Sequence, residues 1–142
     1  MTASNPFGHS IVADDILEAL SFFDTWEERY KYIIDLGREL PAMPPELKTD
    51  EHLVRGCQSQ VWINSHPEGE ALQFDADSDA FIVKGLLAVV LAAVNNQPPA
   101  AITAFDMDDY FDKLGLIRHL SSTRGNGLKA MVARIKATAA AA

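Results

Sequence analysis

Along the first third of the chain, apolar residues recur at helical spacing. Between Asp14 and Phe23 they stand at Ile16, Leu17, Leu20 and Phe23, which share one helix face. Thr25 and Glu28 then hold the S/T-x-x-E relation of a capping box, able to satisfy free N–H groups at a helix start. Trp26, Tyr30, Ile33, Ile34, Gly37 and Leu40 follow on one face. Pro41, Pro44 and Pro45 stop this helix near Leu40, because each lacks an N–H and drives its predecessor out of the α region. A polar stretch from Lys48 to Glu51 leads to the segment around Cys57. From Gln60 the pattern becomes that of β-structure: Val61, Trp62 and Ile63 are β-branched or aromatic, and Leu72, Phe74 and Ala76 alternate with Gln73 and Asp75. Pro67 to Glu70 supply the turn of an antiparallel hairpin. Two strands alone are marginal in water, so a third strand or a helix must cover one face.

Ser78 is placed to N-cap a long helix whose apolar face comprises Phe81, Ile82, Gly85, Leu86, Val89, Val90 and Ala93. The most apolar window, Leu86 to Val94, ends at Asn95 and Asn96 after nine residues, whereas a membrane span needs about 20. It reads as a buried core helix. Pro98 and Pro99 restart the chain, a short helix follows over Ala100 to Phe105, and Met107, Tyr110, Phe111, Leu114 and Leu116 suggest another. Ser121 or Thr123 caps the last helix, whose apolar positions are Leu128, Met131, Val132 and Ile135. Helices segregated from a small antiparallel sheet make an α+β fold, with three strands expected in the sheet. One domain over residues 1–142 is expected, with 1–13 as a loose arm and the alanine-rich 137–142 as a fraying tail.

Charge and cysteine content then narrow the function. Twelve Lys plus Arg against 20 Asp plus Glu give a net charge of −8, which argues against nucleic acid and anionic membrane surfaces as partners. The single cysteine excludes an internal disulfide, a Cys-ligated zinc and a complete iron–sulfur cluster held by this chain. Four scattered histidines show no metal-ligand spacing, so no metal site is expected. Met1 to Pro6 lack the charged and apolar regions of a secretory signal, which makes a cytoplasmic location the expectation.

Cys57 is the residue with chemical potential. A lone cysteine is ordinarily a small buried hydrophobe. Here, however, Arg55, Gly56, Gln58, Ser59 and Gln60 surround it with polar groups and a flexible backbone just ahead of a strand. Arg55 would favour the thiolate, the form that attacks sulfur. Disulfide exchange of the thioredoxin kind needs a second cysteine, which is absent. A single-cysteine hydrolase or peroxidase needs a base, for which His52 and His119 are the candidates by type. A thiol that receives a group from one partner and yields it to another fits without either.

The segment Gly56-Cys57-Gln58-Ser59-Gln60-Val61-Trp62 resembles the active-cysteine segment of the SufE/CsdE family of sulfur acceptors. Three further stretches agree in order and spacing: Trp26-Glu27-Glu28-Arg29-Tyr30 with Leu36-Gly37, Ser78-Asp79-Ala80 through Lys84-Gly85-Leu86, and Arg124-Gly125-Asn126-Gly127-Leu128. The likeness runs over about residues 14 to 136. Asn5-Pro6-Phe7-Gly8 is similar to the CsdE branch, and the glutamine-rich cysteine segment to the SufE branch. The resemblance implies a SufE-like fold and a non-enzymatic role. Cys57 would take persulfide sulfur from a SufS-like or CsdA-like cysteine desulfurase, stimulate it, and pass the sulfur to a downstream acceptor or iron–sulfur scaffold. The resemblance implies that the pyridoxal phosphate belongs to the desulfurase, so no cofactor is expected in this chain. It also implies that Arg124 lies near the cysteine loop as a thiolate or persulfide stabiliser, and that Asp77 and Asp79 lie near the partner surface.

Overall fold

The first helices begin and end where local chemistry directs. In the computed structural model, which describes residues 5–57 and 59–142, α1 spans Ala13–Ser21 and α2 spans Trp26–Arg38. The Thr25 hydroxyl accepts the Glu28 N–H at 3.2 Å and donates to the Glu28 carboxylate at 3.1 Å. A single 3₁₀ turn, Pro45–Leu47, carries the chain through the prolines. Strands β1 (Val61–Glu68) and β2 (Ala71–Ser78) form an antiparallel hairpin, Val61 opposite Ser78 and Glu68 opposite Ala71. Five helices follow: α3 (Phe81–Val94), α4 (Pro99–Ala104), α5 (Met107–Leu114), α6 (Leu116–His119) and α7 (Ser122–Ala141).

Helix α3 is the centre of the core, buried on nearly every side as its run of Leu, Val and Ala requires. The hairpin lays Val61, Ile63, Leu72, Phe74 and Ala76 into the same core, and α2 crosses α3 on another side. That crossing is close because it is made at two glycines. A Cβ on Gly37 would lie 2.7 Å from the Gly85 nitrogen, and one on Gly85 would fall on the Ile33 carbonyl. Trp62, on the opposite hairpin face, is half-buried with the Lys48 ammonium 5.2 Å above its ring. Among the described residues no helix is long and apolar enough to cross a membrane.

Several expectations change. The α+β class stands, but the sheet has two strands among the described residues, not three. The place of a third strand is taken by a single bridge between Leu53 and Trp62, with Val54 N–H donating to Val61 C=O at 2.8 Å and Ile63 N–H to His52 C=O at 2.9 Å. Polar residues and the turn at Arg55 and Gly56 leave too short an apolar run to extend the pairing. Ser78 ends β2 instead of N-capping α3; its hydroxyl accepts the Ala80 N–H at 3.2 Å, and Ala80 stands at the N-cap. Phe81, expected on the buried face, is 78% exposed. Ser121, not Thr123, caps α7, accepting the Arg124 N–H at 3.2 Å.

The described part of the N-terminal arm is packed, not loose. Phe7 is fully buried, and its carbonyl accepts from the Asn95 side chain at 2.9 Å. The Asn95 amide oxygen accepts the Phe74 N–H at 2.7 Å, so one buried asparagine joins the arm, α3 and β2. Residues 1–4 of that arm lie outside the described residues. At the other terminus the alanine tail continues α7 through Ala141, with Ala139 buried.

Candidate functional site

Two anchors define the loop that carries Cys57. On its N-terminal side the Arg134 guanidinium, from α7, donates to the Glu51 carbonyl at 2.7 Å and to the Leu53 carbonyl at 3.4 Å. On its C-terminal side Gln60 N–H donates to the Asp79 carboxylate at 3.1 Å, Asp79 N–H returns to Gln60 C=O at 3.3 Å, and the Ser78 hydroxyl donates to the same carbonyl at 2.8 Å. Between them Gly56 takes φ +92°, a conformation that side-chain-bearing residues rarely adopt, and turns the chain so that Cys57 points inward.

Cys57 is half-buried, and its S–H donates to the Gly127 carbonyl of α7 at 3.4 Å. Burial pushes the thiol above its ordinary value. Arg55 is exposed and contributes nothing to that shift, contrary to the expectation that it favours the thiolate. Water screens an exposed guanidinium too well for it to act through the loop.

Beside the thiol lies a cavity of about 40 Å³ lined by Cys57, Ser59, Val83, Ser121, Thr123, Arg124, Gly127 and Met131. A single water needs roughly 10–15 Å³ measured this way, so the space suits one or two small atoms and excludes a peptide or sugar. Among the described residues the lining contains no histidine, carboxylate or second thiol. His52 instead points Nδ1 to the Leu47 carbonyl at 2.8 Å, and His119 stacks on Trp26 with centroids 4.1 Å apart. The base required by a single-cysteine hydrolase is therefore missing from the cavity. A larger groove of about 700 Å³, bounded by Phe7, Pro44, His66 and Asn96, shares no residue with it.

The structure thus brings Cys57, Ser59 and Arg124 together at the cavity, and places Gln60 and Asp79 at the loop anchor; Gln58 lies outside the described residues. Asp77 is the exception. It is 3% exposed, and its carboxylate accepts the N–H of Met43 at 3.2 Å and of Ser78 at 2.8 Å, with Lys48 at 3.2 Å and Lys84 at 3.4 Å. Burial works to raise this carboxyl, but those N–H donors and ammonium groups outweigh it and hold it below the usual range. Asp77 is a structural tie, too deeply buried for the partner contact expected of it. Sequence reasoning missed Arg134, Val83 and Met131. The last two look like ordinary core residues, and no local pattern marks an arginine that binds carbonyls some 80 positions away.

An α+β protein that shelters one thiol against a small, partly open cavity, with no base among the described lining residues, is the class these observations define. Residues 14–139 match the model of the SufE family, the Fe-S metabolism associated domain. An uncharacterised SufE-like protein of Rhizobium meliloti (strain 1021) is 48% identical over 130 residues, 89% of this chain and 93% of that one. Another from Rhizobium etli is 46% identical over 127 residues, 87% and 86% of the two chains. The solution structure of a hypothetical protein from Thermus thermophilus shares the fold, with a TM-score of 0.74 over 90% of this chain and 93% of that one at 19% identity.

The chain belongs to the SufE family. Its role is accordingly SufE-like sulfur transfer, and SufE-family proteins act as partners of cysteine desulfurases, not as enzymes.

Proposed function

We propose that Cys57 is the sulfur acceptor: it takes sulfane sulfur from a desulfurase cysteine, holds it as a persulfide, and yields it to an iron–sulfur scaffold or an intermediate carrier in the cytoplasm. The observation that carries this reading is the thiol facing a cavity large enough for a further sulfur atom but lacking base and second thiol. In the forward step the Cys57 thiolate attacks the terminal sulfur of the desulfurase Cys–S–SH. A new S–S bond forms at Cys57, the old one breaks, and its electron pair leaves on the desulfurase thiolate. The proton given up by Cys57 balances the charge on that leaving thiolate, and no external oxidant is required. Clearing the persulfide frees the desulfurase for another turnover, which is the physical basis of stimulation.

The cavity lining supports particular roles. Arg124 supplies a positive charge for the persulfide anion, while the absence of a nearby thiol protects the persulfide from discharge as a disulfide. The hydrogen bond from Cys57 to Gly127 exists only for the protonated thiol, so the loop opens about the Gly56 turn when the desulfurase, SufS-like or CsdA-like, draws the sulfur out. Ser59 and Gln60 lead from the thiol into β1, and exposed Asp79 stands at the foot of the loop toward the partner.

A desulfurase assay with cysteine as substrate tests this. Sulfide release should rise on adding the protein, Cys57→Ser should abolish the rise, and mass spectrometry should find about one added sulfur on the wild-type chain. Full stimulation by Cys57→Ser would overturn the assignment.

A further inference from the structure

Backbone groups of an extended segment face alternately to either side, and residues 51–54 use both sides. One side pairs with β1: the His52 carbonyl accepts the Ile63 N–H at 2.9 Å, and the Val54 N–H donates to the Val61 carbonyl at 2.8 Å. On the other side, where a further strand would continue the sheet, stands the fork of one guanidinium. Arg134 donates to the Glu51 carbonyl at 2.7 Å and to the Leu53 carbonyl at 3.4 Å. Arginine suits this place because its planar head presents several N–H donors in fixed geometry.

The same helix meets the chain twice more, in reverse order. A Cβ on Gly56 would lie 3.4 Å from the Ala130 Cβ, and the Cys57 S–H reaches the Gly127 carbonyl at 3.4 Å. At 3.6 residues per turn, positions 127, 130 and 134 fall within about 60° of one another around α7, so they share a face. Residues 51–57 thus run antiparallel along that face, pinned at one end by Arg134, and Cys57 meets its cavity in the register that this pin sets.

We propose that Arg134 is a positioning residue for sulfur transfer: through the Glu51 and Leu53 carbonyls it holds the Cys57 segment in register on α7, an inference that rests on the persulfide reading above. Its bonds lie ahead of the Gly56 turn, so they persist when the thiol leaves Gly127, and they fix the point from which the thiol meets the desulfurase sulfur. A misplacement of about 1 Å at a reacting atom costs as much as roughly 10²-fold in rate. Arg134 is not among the residues lining the cavity, and it carries no charge or proton into the step.

The test compares wild type with Arg134→Ala, Arg134→Lys and Lys136→Ala. Lys136 is the control: on the same helix it donates to the Phe105 carbonyl at 2.6 Å and the Thr103 carbonyl at 3.5 Å, away from the cysteine segment. Each alanine variant forfeits a charged donor to two carbonyls, so both should unfold at lower urea. Under native conditions only Arg134→Ala should react faster with iodoacetamide, by about tenfold, in keeping with the worth of hydrogen bonds from a charged donor. The midpoint of its labelling pH profile should fall toward that of free cysteine as the thiol loses its shelter. Arg124, the one charged group among the described cavity residues, is common to all four chains, so the midpoint reports that shelter. With a SufS-type desulfurase, Arg134→Ala should lower maximal stimulation severalfold while the half-saturating concentration stays within about twofold of wild type. Arg134→Lys, a point charge without the fork, should fall between. Labelling of Arg134→Ala within about twofold of wild type, an equal acceleration in Lys136→Ala, or undiminished maximal stimulation would overturn the positioning role and leave the persulfide reading intact. Failure of the wild type to gain sulfur from the desulfurase would overturn both.

Discussion

The Cys57 thiol is held in the form least able to attack. Its S–H reaches a helix carbonyl, and burial raises its pKa above the ordinary cysteine value. Below the ordinary value of about 8.5 it is protonated both in the fold and in the unfolded chain; between that value and its folded value, only the folded chain retains the proton. Alkylation by iodoacetamide should therefore follow a pH profile whose midpoint lies above that of free cysteine, and urea unfolding should return the midpoint to the free value. A profile identical to free cysteine in the folded protein would contradict the sheltered thiol. The loop residues Arg55 to Gln60 were legible as a presented cysteine segment. The direction of the thiol was not, because it depends on Gly127, 70 positions away.

Among the elements, α2 and α3 illustrate how tightly the frame is built. Their backbones meet at Gly37 and Gly85, where no side-chain atom fits. Gly85→Ala should push the helices apart and lower stability by about 1–3 kcal/mol or more, measured by urea unfolding. An unchanged midpoint would show that the crossing relaxes freely. Both glycines sit within otherwise apolar helical patterns, so their positions were visible in the chain. Their contact was not, since periodicity reports which face is buried and is silent about what covers it. The same limit explains the missing third strand. Local alternation defines β1 and β2, whereas the pairing of residues 52–54 along the outer edge of β1 is limited by the Gly56 turn and by Arg134 on a distant helix.

At the scale of the molecule, Asp77 ties the Met43 loop, Lys48, β2 and α3 at one buried carboxylate. Its pKa is depressed, so the stability it contributes is fully present above the ordinary carboxylate value of about 3.9 and is lost as pH falls through the lower folded value. Asp77→Asn should cost on the order of 2–3 kcal/mol at neutral pH, discounted from a fully buried pair because both lysines are partly exposed. The gap between variant and wild-type melting temperatures should narrow below about pH 4. A gap independent of pH would assign the loss to packing alone. This tie also underlies the site, because β2 continues through Ser78 into Asp79, the anchor of the cysteine loop.

What the chain determined by itself was local: the helix start at Thr25, the proline stop after α2, the alternation of the hairpin, and one thiol in a polar, glycine-preceded loop. Each follows from interactions among residues a few positions apart. The tertiary structure decided the rest. It buried Asp77 and Phe7, exposed Phe81, and turned Cys57 toward α7. These outcomes depend on which surfaces meet after the chain folds back over 70 or more residues, as from Cys57 to Gly127 or from Phe7 to Asn95, and no local period encodes that meeting.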